Sequence, residues 1–195
     1  MKLLVATTNL GKLREIRGIL QGLPVELLTL ADFPGIPEPE ETGATFAENA
    51  RLKALYYNEA TGLPSVADDS GIEVDELDKE PGIHSARWHG TDYQVKFQKI
   101  YELLRQRRVN GSRARFVAAV AFARGSRIEF ETDGIVEGEI APEPRGTHGF
   151  GYDPIFFYPP LGKTLAEVEG AAKEAVSHRG AAFRKFRNYL QSIGL

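Results

Sequence analysis

The feature that most constrains the fold is a pair of long strand-like segments in the middle of the chain. Residues 114–124 read ARFVAAVAFAR and residues 127–140 read RIEFETDGIVEGEI, with only Gly125 and Ser126 between them. A two-residue connection that contains Gly is typical of a tight β-hairpin. The sequence therefore predicts two long strands paired at the centre of the chain.

Segments with strand and helix patterns alternate around this hairpin. The predicted strands are residues 2–7, 25–30, 64–68, 72–77 and 155–158, and the predicted helices are about 11–21, 46–60, 92–108, 164–168, 171–176 and 179–193. The second helix is expected to begin with a capping box from Thr45 to Glu48 and to stop near Gly62. The pattern predicts the α/β class, with a long mixed central sheet flanked by helices, in a single domain over residues 1–195.

Charge and cysteine content exclude several classes of function. The net charge of −3 argues against a protein that holds a nucleic-acid duplex, which usually needs a basic face. The chain has no cysteine, so disulfides and thiolate zinc sites are excluded. The N-terminal MKLLVATTN is too short for a signal peptide or a membrane span. We therefore expect a cytoplasmic protein with no nucleic-acid or membrane partner.

Two adjacent acids, Asp68 and Asp69, raise a question of charge. They follow an apolar run within LPSVADDSGIEV, residues 63–74, and a turn at Ser70-Gly71 is expected after them. Two neighbouring carboxylates at the end of a buried strand repel each other and cost free energy unless a partner compensates them. A salt bridge, a set of backbone donors or a metal ion could be that partner.

Four further loops carry more polar groups than a turn requires. TTNLGK, residues 7–12, places hydroxyls, an amide and a lysine at the expected start of a helix, and such groups bind phosphate. PEPEETG spans residues 37–43, HGFGYDP spans 148–154 and presents Phe150 between two glycines, and KEAVSHRG spans 173–180. Mg²⁺ takes one or two carboxylates beside substrate phosphates. With the acidic pair, these loops predict a site for a metal-bound nucleotide.

Six motifs occur in a fixed order along the chain: TTNLGK, TFAENARLKA, ADDSGIEVDEL, PGIHSAR, HGFGYDPIFF and KEAVSHRG. In this order they closely resemble the inosine triphosphate pyrophosphatase family, from residue 3 to about residue 190. The resemblance implies Mg²⁺-dependent hydrolysis of ITP, dITP and XTP to the monophosphate and pyrophosphate, which cleanses the nucleotide pool. It also implies a homodimer, and two lobes with the active site in the cleft between them.

The resemblance further implies roles for individual residues. Asp69 is implied as the catalytic acid that orients or deprotonates a water for attack on the α-phosphorus. Glu40 or Glu41, and Asp68 or Asp69, are implied to bind the metal, with both alternatives left open. A Mg²⁺–triphosphate complex would then supply the charge that lets the adjacent carboxylates coexist. The residues expected to bind substrate are Thr7, Thr8, Asn9, Leu10, Gly11, Lys12, Lys53, Ser70, Phe150, Gly151, Tyr152, Asp153, Lys173, His178 and Arg179.

Three of the expected substrate residues are assigned to the base. Lys173, protonated His178 and Arg179 offer only donors, which match the 6-oxo group of hypoxanthine and xanthine and not the 6-amino group of adenine. Guanine carries the same 6-oxo group, so its exclusion must come from around its 2-amino group. The ring of Phe150 is expected to stack on the base.

Other functions agree with parts of the sequence. A non-catalytic nucleotide sensor would use the acids for Mg²⁺ without positioning a water. A pyrophosphatase of the Maf type would share the reaction and prefer other nucleotides. A single-stranded RNA binder built around Phe150 is disfavoured by the net charge and by the lack of interleaved basic and aromatic residues.

Overall fold

The fold is built on one mixed β-sheet. The computed structural model describes residues 1–195, with residues 170, 171 and 174 described for the backbone only. The strands of the described chain are β1 (Lys2–Val5), β2 (Glu26–Thr29), β3 (Ser65–Val74), β4 (Arg113–Arg124), β5 (Arg127–Ile140), β6 (Phe156–Tyr158) and β7 (Lys163–Thr164). Their order is β2-β1-β3-β4-β5-β6-β7. β1 is parallel to β2 and β3, whereas β6 is antiparallel to β5 and β7, which confirms the predicted mixed sheet.

The helices begin and end close to their predicted positions. They are α1 (Leu10–Leu20), α2 (Phe46–Thr61), α3 (Tyr93–Gln106), α4 (Gly170–Ala175) and α5 (His178–Ser192). The segment predicted as a helix over residues 164–168 is only a short 3-10 turn, Leu165–Glu167. None of the helices in the described part of the chain is long and apolar enough to span a membrane.

The predicted start and stop of α2 are correct except in one contact. The Thr45 hydroxyl accepts a hydrogen bond from the Glu48 N–H at 3.1 Å, and Gly62 ends the helix with a φ of 68°. The carboxylate of Glu48 does not reach back to the Thr45 N–H, as a capping box requires. It accepts instead from the N–H of Ala44, at 2.7 Å.

The chain divides into two compact units, each with its own hydrophobic core. Unit 1 comprises Met1–Asp69, Ala118–Gly134 and His178–Leu195, and unit 2 comprises Ser70–Val117 and Ile135–Ser177. In unit 1, buried residues of α1 and α5 pack on β1, β3 and β4, with Phe122, Phe183 and Phe186 among them. In unit 2, buried residues of α3 pack with β3, β4 and β6, and Phe97, Phe116 and Phe156 belong to that core.

The central hairpin is confirmed, and the turn predicted at Ser70-Gly71 is wrong. Gly125 and Ser126 connect β4 to β5 with φ values of 60° and 62°, the backbone that a two-residue hairpin turn needs. Ser70 and Gly71 lie inside β3, which runs without a break through the acidic pair. Gly71 allows Gly82 and Ser85 to pack closely against the strand. A Cβ at position 71 would lie 2.5 Å from the carbonyl oxygen of Gly82 and nearer still to Ser85 Oγ.

We therefore expect Gly71→Ala to lower the free energy of unfolding by about 3 kcal/mol, because neither a backbone carbonyl nor a buried serine can move away cheaply. Gly18→Ala is the matched control. Gly18 lies in α1 with nothing within 4 Å of its would-be Cβ, so this change should stabilise the protein by about 0.5–1 kcal/mol. Urea denaturation of both variants measures the difference. Equal effects of the two substitutions would contradict the proposed close contact.

Candidate active site

The acidic pair of β3 is divided between two sets of partners. Successive side chains of a strand point to opposite faces of the sheet. Asp68 and Asp69, only 3% and 6% exposed, therefore leave β3 in opposite directions. The first meets side chains of α1 and α5, and the second meets side chains of α2. This division answers the question of charge that the sequence raised, since each carboxylate has its own cations.

Asp68 belongs to a buried ion network. Its Oδ2 atom is 3.0 Å from Lys12 Nζ and 3.1 Å from Arg179 Nε, and the same guanidinium donates to Glu15 at 2.9 Å. Burial alone would raise the pKa of Asp68, but the charges of Lys12 and Arg179 hold it well below its usual range. The Asp68 carboxylate is therefore ionised. Its Oδ1 atom is buried and has no partner among the described residues.

Asp69 has a different environment. Its Oδ1 atom accepts from Lys53 Nζ at 2.9 Å, and its Oδ2 atom accepts from the amide of Asn49 at 3.3 Å. Burial raises the pKa of the Asp69 carboxyl, and the nearby Lys53 offsets only part of that effect. A carboxylate with a raised pKa is the better proton acceptor, which is the property required of a general base.

The two candidate metal acids of the acidic loop are placed differently. Glu41 Oε1 lies 2.7 Å from Lys53 Nζ, so Glu41 and Asp69 flank the same ammonium, whereas Glu40 is exposed. Burial would lower the pKa of Lys53, but Asp69, Asp68 and Glu41 together raise it. No three acidic or histidine side chains of the described residues form a ready metal cluster. A pair of carboxylates still fits Mg²⁺, which completes its shell with water and phosphate oxygens.

The compensating charge in this structure comes from lysine and arginine side chains. The family resemblance implied a Mg²⁺–triphosphate complex in that role, and a salt bridge was one of the alternatives that the residues themselves left open. Lys12, Lys53 and Arg179 already neutralise the acidic pair, so the carboxylates coexist without the complex.

The predicted phosphate loop forms the N-terminus of α1. Asn9 caps this helix, with its side-chain oxygen accepting from the N–H groups of Gly11 and Lys12 at 2.9 and 3.1 Å. The N–H groups of Gly11 and Lys12 are therefore engaged by Asn9 in this structure. Leu10 is 75% exposed, and the Thr8 hydroxyl donates to Glu38 at 3.0 Å. Thr7 accepts from the Asn9 N–H at 3.2 Å.

The predicted base pocket is partly assembled within unit 2. Gly149 and Gly151, with φ values of 78° and 68°, present the ring of Phe150, which remains 38% exposed. Buried Asp153 accepts from the Phe150 N–H at 2.8 Å and contacts the ammonium of Lys173. That ammonium lies 5.4 Å from the centre of the Phe150 ring. Loop geometry and a cation contact thus hold one aromatic face in position.

Other predicted substrate residues occupy different places. Tyr152 is 3% exposed and its hydroxyl donates to the Ser85 carbonyl at 2.9 Å, so its side chain belongs to the core. Arg179 is 2% exposed and belongs to the Asp68 network, which is not the place of a base-edge donor. Ser70 is half-buried next to Asp69 on β3, and His178, at the start of α5, is also half-buried.

Sequence reasoning missed two residues of the acidic site, although a signal for each was present. Glu15 lies three residues after Lys12 on α1, and Asn49 lies four residues before Lys53 on α2. Residues at these spacings are neighbours on one helix face. Glu15 and Asn49 could therefore have been found from the positions of Lys12 and Lys53 on their helices.

Comparison with known proteins identifies the family. The sequence profile of the Ham1 family matches residues 3–189. The chain is 46% identical over 196 residues to a dITP/XTP pyrophosphatase of Geobacter sulfurreducens, covering 100% of this chain and 98% of that protein. It is 49% identical over 188 residues to a dITP/XTP pyrophosphatase of Thermus thermophilus, covering 94% of this chain and 89% of that protein.

The fold gives the same result. The structure of a HAM1 protein from Coxiella burnetii matches with a TM-score of 0.92 and 36% identity, covering 98% of this chain and 99% of that one. Fold and site define an α/β protein with two buried, cation-compensated carboxylates on its third strand. The chain belongs to the Ham1 family. The resemblance inferred from the six motifs is confirmed.

Proposed function

We propose that the protein is a nucleoside triphosphate pyrophosphatase that hydrolyses dITP, XTP and ITP to the monophosphate and pyrophosphate. The observation that carries the proposal is Asp69, a buried carboxyl with a raised pKa beside Lys53 and Glu41. Two relatives named dITP/XTP pyrophosphatase, at 46% and 49% identity, support the substrate class. From the family resemblance we also expect the protein to be a homodimer and to lie in the cytoplasm.

The reaction needs one proton acceptor and one set of phosphate ligands. Asp69 takes a proton from a water whose oxygen forms a bond to the α-phosphorus. The bond between the α-phosphorus and its bridging oxygen breaks, and the electron pair leaves with pyrophosphate. Lys12 and Lys53 lie on either side of the acidic pair and can neutralise phosphate oxygens.

Mg²⁺ fits the carboxylates of this site. Glu41 and Asp69 flank one cation position, that of the Lys53 ammonium. These two side chains would hold the ion, with Glu41 rather than Glu40 as the acid of the loop. Asp68 leaves β3 in the opposite direction and is not included in this set. Bound there with the triphosphate, Mg²⁺ would offset the phosphate charge and polarise the phosphoryl oxygens.

The nucleobase of the substrate is expected to bind at Phe150 and the residues around it. Its exposed ring offers a stacking face, and Lys173 supplies a cationic donor beside it. His178 is kept as a second donor for the 6-oxo group. Arg179 is not proposed to contact the nucleobase, because its guanidinium already donates to Asp68 and Glu15.

A substrate panel tests this function. ITP, XTP, dITP, ATP, GTP and dGTP are incubated with the protein and Mg²⁺, and pyrophosphate and phosphate are measured separately. We expect pyrophosphate from ITP, XTP and dITP and little from the other three. Binding of ITP without pyrophosphate release would indicate a nucleotide sensor. A modified pyrimidine triphosphate is added to the panel, and preference for it would indicate a pyrophosphatase of the Maf type.

We expect Lys12→Ala to weaken ITP binding much more than IMP binding, because the lost charge serves the phosphate tail. A loss of about tenfold or more in affinity for ITP corresponds to one charge-assisted hydrogen bond. Lys99→Ala, which removes a surface ion pair with Glu102, is the control and should change neither affinity. Calorimetric titration without Mg²⁺, in which ITP is not expected to be hydrolysed, measures the affinity for both ligands. Equal losses for ITP and IMP would instead place Lys12 away from the phosphate tail.

A further inference from the structure

Unit 2 contains a fully buried lysine that the proposed reaction does not use. Lys96, on α3, is 0% exposed, and its ammonium donates to the carbonyl oxygens of Ser85 at 3.0 Å and Ala86 at 2.6 Å. It also lies 4.4 Å from the ring centre of Tyr93 and 5.9 Å from that of Tyr152. Burial of an ammonium is costly, so its carbonyl and ring partners have to compensate it.

The carbonyl of Ser85 joins this lysine to the loop that presents the base platform. It accepts from Lys96 and also from the hydroxyl of Tyr152, the latter at 2.9 Å. Tyr152 and Tyr93 pack edge to face with their ring centres 5.3 Å apart. The backbone of Tyr152 leads directly into Asp153, whose carboxylate accepts from the Phe150 N–H. Lys96 is therefore connected through the Ser85 carbonyl to Tyr152, which directly precedes the residue that holds the Phe150 loop.

We propose that Lys96 is a positioning residue for the nucleobase, which acts by holding Tyr152, and through it the Phe150 ring, in the orientation that stacks on the base. The proposal rests on the proposed function, since it assumes that Phe150 contacts a purine. Lys96 itself is fully buried and its ammonium is engaged by two carbonyl oxygens, so the proposal gives it no direct contact with the base or the phosphates.

Lys96→Met removes the ammonium and keeps the length of the side chain. We expect KM for ITP to rise about tenfold, with kcat changed less than about twofold, because base affinity is lost while the acidic site in unit 1 is untouched. A purely structural role would lower the active fraction, which reduces apparent kcat and leaves KM unchanged. Lys99→Met, one turn along the same helix and on the surface, is the control and should match the wild type.

A double-mutant cycle with Phe150→Ala gives the decisive readout. If Lys96 acts through the Phe150 ring, Lys96→Met adds little to the KM of the Phe150→Ala protein. Additive effects of the two substitutions would overturn the proposal. If Lys96→Met does not fold, Tyr152→Phe replaces it in the cycle, with an expected rise in KM of about threefold.

Turnover of ITP by the wild-type protein distinguishes failure of the role of Lys96 from failure of the proposed function. No release of pyrophosphate from ITP by the wild type would overturn both proposals. Normal wild-type turnover with an additive cycle, or with an unchanged KM in Lys96→Met, would overturn only the role of Lys96. Normal turnover with a raised KM and a non-additive cycle supports both.

Discussion

Replacement of Asp69 by Asn is expected to lower kcat for ITP by about 10²-fold or more while the protein remains folded. The amide keeps the shape of the side chain but cannot take a proton from water, and loss of a general base has an effect of this scale. Lys53 can still donate to the remaining oxygen, whereas the new NH2 group replaces the oxygen that accepts from the Asn49 amide. Initial rates of pyrophosphate release, with circular dichroism as the check on folding, measure the effect.

Asp78→Asn is the matched control for this substitution. Asp78 forms a surface ion pair with Arg107, and its side chain is 80% exposed, so the control should keep the wild-type rate. A wild-type rate for Asp69→Asn would show that Asp69 is not the base. Asp68 would then become the candidate despite its lowered pKa, and Asp68→Asn would have to abolish turnover.

Replacement of Arg179 by Met is expected to destabilise the protein by about 3–5 kcal/mol. The guanidinium is 2% exposed and donates to both Asp68 and Glu15, so its loss leaves two partly or fully buried carboxylates without their shared cation. Breaking a buried ion pair from one side has this scale of effect. The free energy of unfolding in urea measures it, and Arg184→Met, at an exposed position of the same helix, is the control.

The same variant separates two roles for Arg179. If it supports Asp68, the kcat/KM values for ITP and ATP should fall by the same factor in the folded protein, because the catalytic site serves both nucleotides. If Arg179 binds the 6-oxo group, kcat/KM should fall for ITP and stay the same for ATP. The ratio of kcat/KM for ITP to that for ATP should then become smaller. The contacts of Arg179 favour the first result. A narrowed ratio with unchanged stability would restore the base-reading role.

Elements whose ends depend on their own residues were predictable from the sequence. The β4–β5 hairpin needs only a pair such as Gly125-Ser126 that accepts positive φ. Helix α2 begins where the Thr45 hydroxyl meets an N–H three residues later, and it ends at Gly62. These interactions span few residues, so local sequence carries the information.

Positions whose role depends on a distant partner were not predictable in the same way. Ser70-Gly71 has the composition of a turn, and the sequence reasoning predicted one. The strand continues because Gly71 allows Gly82 and Ser85 to approach it, a contact that appears only when the chain has folded. Glycine occurs both where close packing leaves no room for a side chain and where a turn requires positive φ. The sequence alone does not distinguish these two uses.

The sequence by itself determined the family, the mixed α/β class and the residue types of the site, because six ordered motifs and the alternation of strands and helices are properties of the chain. Only the tertiary structure decided which charges meet. Arg179 and Asp68 lie 111 positions apart, yet they form a buried ion pair. Glu41, and not Glu40, shares Lys53 with Asp69. The strength of an ion pair depends on separation in space and on exclusion of water, and neither quantity is encoded in sequence spacing.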